Sequence, residues 1–107
     1  MIFGYATDEQ SLEVFPSVEK AISTAEGIDV EDGVWLFFAE DGSPLEAVFT
    51  TPNDRGRIVV RSGSYSLRPS TSDSLRDLLT ILPEVTSVEG ELDSVDAVRQ
   101  FLTNRCS

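Results

Sequence analysis

The run Val34-Trp35-Leu36-Phe37-Phe38-Ala39 is the longest unbroken apolar stretch in the chain. It constrains the fold more than any other feature. A run this short falls far below a membrane span, and its lack of alternation predicts a central strand covered on both faces. Turns and alternating segments follow. Glu40-Asp41-Gly42-Ser43-Pro44 turns into Leu45–Thr51, where Glu46, Val48 and Thr50 alternate with Ala47 and Phe49. Pro52-Asn53-Asp54-Arg55-Gly56 turns into a strand over Arg57–Arg61. Ser62-Gly63 turns into Ser64–Arg68, where Tyr65 and Leu67 share one face. The pattern predicts an antiparallel meander with one wet face, and Arg57, Arg61 and Arg68 placed to pair with nearby carboxylates.

The flanks supply the rest. Ile2–Ala6 reads as a first strand, turning at Thr7–Gln10 into a short strand over Leu12–Phe15. Pro16 is suited to a first helical turn. Val18, Ala21, Ile22 and Ala25 then share a helix face, and Gly27 reads as the stop, with the acids after it in a crossing loop. A second helix is predicted from an N-cap at Ser72, with Asp73 at its positive end, Leu75, Leu78, Leu79 and Leu82 inward and Pro83 as its stop. Val85–Glu89 reads as an edge strand. A last helix starts near Asp93 or Ser94, with Val95, Val98, Phe101 and Leu102 inward and Asn104 as terminator. The expected class is α+β: a meander sheet of five or six strands with two or three helices packed against it. Residues 1–107 form a single expected domain.

Charge is the most telling part of the composition. Nineteen acids against eight bases give a net charge of -11, with no histidine. Residues 1–50 hold eleven acids and one base, Lys20, whereas residues 51–107 hold eight acids and seven arginines. Such a field favours fast capture of basic partners and disfavours binding to nucleic acid phosphates. The one cysteine, Cys106, has no partner for an internal disulfide or a zinc pattern. The N-terminal residues lack the basic start of a secretion signal, so a cytoplasmic protein is expected, with no membrane partner.

No familiar chemistry is announced. Without histidine, Ser-His and Cys-His nucleophilic devices are excluded. The adjacent acids Glu31-Asp32 and Glu40-Asp41 are candidate carboxylate pairs, but acids beside glycine are ordinary turn chemistry. Asp29–Gly33 lacks the full ligand alternation of a calcium loop. No phosphate-binding glycine loop occurs. Neither enzyme, metal nor cofactor is expected. Trp35 and Phe37 read as core residues, with partial exposure as a binding anchor the alternative.

Binding remains. The candidate surface is Glu26, Asp29, Glu31 and Asp32 after the first helix, with Glu40, Asp41 and Glu46 around the first meander turn. Solvated loops without a partner are the plain alternative for such acids. The stretch Gly33–Glu46, with Ser62–Leu67 downstream, resembles small bacterial immunity proteins, including the partners of contact-dependent growth inhibition toxins. The likeness spans about a third of the chain. It implies a cytoplasmic antitoxin that binds the toxin domain of a cognate effector, often a tRNase or DNase, as a monomer in a 1:1 complex. These families share no catalytic motif, so the acidic surface is an inference from charge alone. An adaptor of ordinary metabolism is the second expectation, and a carboxylate-dependent hydrolase the third.

Overall fold

The structure, a computed structural model, describes residues 1–51, 54–55, 60–61, 63–70 and 77–106. Strands β1 (Ile2–Ala6) and β2 (Ser11–Phe15) are followed by helices α1 (Val18–Thr24) and α2 (Gly27–Glu31). Next come β3 (Trp35–Phe38), β4 (Pro44–Thr51), β5 (Asp54–Arg55), β6 (Val60–Arg61) and β7 (Ser64–Pro69). Helix α3 (Leu78–Ile81) runs on into a 3-10 turn, Leu82–Glu84, ahead of β8 (Ser87–Gly90) and α4 (Val95–Cys106). Six strands form one sheet in the order β7-β4-β3-β1-β2-β8, and β5 pairs with β6 in a separate ladder. The class is α+β. Every pairing in the main sheet is antiparallel except that of β8, which runs parallel to β2 and makes the sheet mixed.

The apolar β3 does lie inside the sheet, with Phe37 and Phe38 buried on its two faces, while Leu36 and Trp35 are only half-buried. On the first face, Leu36 and Phe38 join Phe3, Tyr5, Leu12, Val14 and Val88 beneath Leu78, Leu82, Val98 and Leu102 of the C-terminal helical segments. On the second, Trp35 and Phe37 join Ile2, Phe15 and Tyr65 beneath Ala21 of α1 and its C-cap Ala25. Removing a large apolar side chain from water stabilises by roughly 1.5–3 kcal/mol. Phe3, Phe15 and Phe38, each at most 2% exposed, are therefore main anchors of the two cores.

Several local expectations are corrected. Helix α1 begins at Val18 rather than Pro16, because Ser17 acts as N-cap and accepts a hydrogen bond from the Lys20 amide at 3.2 Å. Gly27 does not stop a helix but starts α2, so Asp29 and Glu31 are helical and not in a crossing loop. The stop signal is Gly33, at φ +80°: its N–H donates to Val30 O and that of Val34 to Asp29 O, a Schellman closure. In α3, Leu79 is exposed and Ile81 takes the inward place beside Leu78 and Leu82. Pro83 sits within the 3-10 turn. Helix α4 runs through Asn104 to Cys106.

The described residues hold four helices, more than the two or three expected, because the helix predicted to end at Gly27 is followed at once by a second. Of the strand predicted over Arg57–Arg61, Val60–Arg61 pairs with Asp54–Arg55 and not with the main sheet. Pro52, Asn53, Gly56, Arg57, Ile58, Val59 and Ser62 lie outside the described residues, as do Ser72, Asp73 and Leu75 of the predicted helix start.

Candidate functional site

The second face of the sheet is not covered throughout. The register aligns Trp35 with Ala6, Ala6 with Ser11, and Ser11 with Ser87, so one row across four strands falls from an indole to small side chains. The next row aligns Phe37 with Gly4, Gly4 with Glu13, and Glu13 with Glu89. Alternation explains why Ser11 and Glu13 share this face: Leu12 and Val14 point into the opposite core. Small floor residues and incomplete helical cover leave a cleft of about 430 Å³.

Its walls are well defined. Thr24 and Glu26 at the end of α1, and Asp29 of α2, form one side; Asp8 and Glu9 of the β1–β2 turn contribute to the rim. The Thr7 amide donates to Val34 O at 2.7 Å and its hydroxyl to Gly33 O at 2.9 Å, tying that turn to the end of α2. On the other side Gln10, held at φ +53°, accepts from the Thr86 amide at 2.8 Å and hydroxyl at 3.1 Å. Trp35 is seated over Gly4, where a Cβ would come within 3.1 Å of the indole and 2.8 Å of the Phe15 ring. Phe37 stacks beside the indole, with centroids 6.2 Å apart and planes 8° from parallel.

Six carboxylates, Asp8, Glu9, Glu13, Glu26, Asp29 and Glu89, line this cleft, and none of the described lining residues is basic. Among the described residues none of the six has an ion pair or a side-chain hydrogen bond. Glu13 and Glu89 are also register partners on adjacent strands. Like charges so placed are mildly destabilising. The cleft is thus an open, uncompensated negative concavity with one aromatic wall, able to attract and hold a cation rather than to hide an apolar group.

The sequence-predicted acids are divided by the fold. Glu26 and Asp29 line the cleft. Glu31 and Asp32 sit at the C-terminal end of α2, exposed. Glu40 and Asp41 lie beyond the opposite end of β3, at least about 10 Å away at the ordinary strand rise. There they have local partners: Glu40 faces the N-terminal amine at 3.8 Å, and Asp41 accepts from the Ser43 amide at 3.0 Å and hydroxyl at 2.6 Å. Asp41 thus performs the turn role expected of an acid before glycine. Glu46 accepts from Arg68 Nε at 2.6 Å across the β4–β7 pair, on the face opposite the cleft.

Asp8, Glu9, Glu13 and Glu89 were not among the predicted site residues. A signal existed for two of them. Ser11-Leu12-Glu13-Val14 and Ser87-Val88-Glu89 carry the same alternation, an acid on the face opposite a core residue. What sequence does not give is that these two segments are neighbours.

Among the described residues no group of three or more acidic, cysteine or histidine side chains is arranged to hold a metal ion. No described helix is long and apolar enough to cross a membrane. A scan of protein-family models and searches of curated proteins and of solved structures each found no match to the chain.

Proposed function

We propose that this chain is an immunity protein, a cytoplasmic and non-catalytic antitoxin that binds and neutralises a cationic bacterial toxin domain, a nuclease such as a tRNase. One observation carries the reading: the six uncompensated carboxylates gathered in a preformed cleft. Nuclease clefts are cationic because their substrates are polyanions. A protein that offers carboxylates where phosphates sit associates rapidly and suppresses substrate entry. The resemblance of Gly33–Glu46 to immunity proteins supports the same conclusion from a different part of the chain.

The experiment is to express the protein encoded immediately upstream in a sensitive host, with and without this chain. Growth arrest by the neighbour's C-terminal region, rescue by this chain and co-purification of the two at low salt are expected. A toxic neighbour that still kills in the presence of abundant soluble chain contradicts immunity to that neighbour. Binding that ignores salt favours an adaptor held by sheet edge or aromatic contacts.

A further inference from the structure

We propose that the open sheet face over β2 and β8 seats an arginine side chain of a protein partner, stacked on Trp35 and bridged by Glu13 and Asp29. The arginine is assigned to the toxin only on the reading above; the seat itself stands on the geometry of the cleft.

The occupant follows from complementarity. Among the described residues the cleft is lined by six acids and no base, and none of the six has an ion pair, whereas Glu40, Asp41 and Glu46 already have partners. The Glu13–Glu89 register pair keeps two like charges on neighbouring strands, a cost that a bound cation removes. Trp35 narrows the choice among cations. Its ring is held by Gly4, Phe15 and Phe37, and it is only half-buried where it borders the cleft. A planar guanidinium stacks on an indole and forks to carboxylates, which a lysine ammonium cannot do to the same degree. A volume of about 430 Å³ leaves room for the side chain with water around it.

Trp35 is the one tryptophan of the chain, so its emission and its indole N–H resonance report on this site alone. The probes are the acetylated, amidated tripeptides Gly-Arg-Gly, Gly-citrulline-Gly and Gly-Lys-Gly. The expected result is a saturable perturbation of Trp35 by the arginine peptide, with the lysine and citrulline peptides at least about tenfold weaker. Ser87→Tyr, at an exposed floor position, fills the cleft and leaves every carboxylate in place, and it should abolish the response. The double variant Glu13→Gln/Asp29→Asn should weaken it at least about tenfold while Trp35 stays in place.

Absence of any Trp35 response up to about 10 mM arginine peptide, equal binding of the citrulline or lysine peptide, or an undiminished response in Ser87→Tyr overturns the seat. Seat and immunity fail separately. Arginine binding without rescue from the neighbour's toxin removes immunity and keeps the seat; rescue by a chain that ignores the arginine peptide does the reverse.

Discussion

One face of the sheet carries two opposite surfaces. Over β4 and β7 it is apolar: Leu45, Ala47, Phe49, Tyr65 and Leu67 pack with the second core. The Tyr65 hydroxyl is satisfied by donating to Ala25 O at 2.6 Å. Over β2 and β8 the same face presents Ser11, Glu13, Ser87 and Glu89 and forms a cleft. Backbone alternation is the same in both regions, so the difference lies in what each row must pack against. Ala21 and the C-cap Ala25 bring α1 close where the strand residues are large, and no described helix fills the space where they are small or charged. A dry wall beside an unneutralised hollow is how this fold positions one indole next to six carboxylates.

The largest test of that comparison attacks the edge that closes the cleft. Gly90 has φ +107°, and a Cβ there would lie 2.1 Å from Val14 O, on the strand that β8 pairs with. Gly90→Ala is expected to lose about 3 kcal/mol or more in urea unfolding, since neither the dihedral nor the contact tolerates a side chain. The cleft should lose its outer wall with it.

A smaller effect belongs to the dry region. Tyr65→Phe leaves the Ala25 carbonyl without its donor and is expected to lose about 1–2 kcal/mol. Burial pushes the Tyr65 hydroxyl up to about 12, because the phenolate is disfavoured away from water. The folded state therefore keeps this proton where the unfolded chain, at the ordinary value of 10, releases it. The stabilisation is fully present below pH 10 and is lost as pH rises towards 12. Alkaline unfolding curves should show that decline in the wild type and a shallower one in Tyr65→Phe.

The smallest effects have opposite signs in the two regions. Glu89→Gln relieves the pair with Glu13 and should gain up to about 0.5 kcal/mol, an increment that added salt erases. Glu46→Gln removes the partner of the exposed Arg68 and should lose no more than about 1 kcal/mol. A loss of stability in Glu89→Gln at low salt would mean that the cleft acids are already compensated, and the contrast between hollow and wall would fail.

Much of the fold was legible in the sequence. The unbroken run at Trp35–Phe38 announced a strand inside the sheet, covered on both faces at Phe37 and Phe38 but not at Trp35, and alternation placed Tyr65 and Leu67 together. Local chemistry failed where two signals competed. Glycine is a good helix stop, but Gly33 and not Gly27 had the closing hydrogen bonds, so a short helix was missed. The candidate site was legible only in part. Glu26 and Asp29 were identifiable from charge near a helix end, yet they share the cleft with Glu13 and Glu89 through a parallel pairing of segments over seventy residues apart. No local pattern encodes that adjacency. Conversely, Glu40, Asp41 and Glu46 contribute to the same net charge but have partners of their own, two of them distant in sequence, a distinction that exists only in three dimensions.

The most direct measurement compares two charge-matched triple variants for affinity towards the co-purifying toxin domain. One neutralises Glu13, Asp29 and Glu89 as amides; the other neutralises Glu40, Asp41 and Glu46. The cleft variant is expected to lose about 100-fold or more, chiefly in dissociation rate, and the turn variant less than about threefold. Equal losses, or the larger loss in the turn variant, would show that the cleft is not where the partner is held.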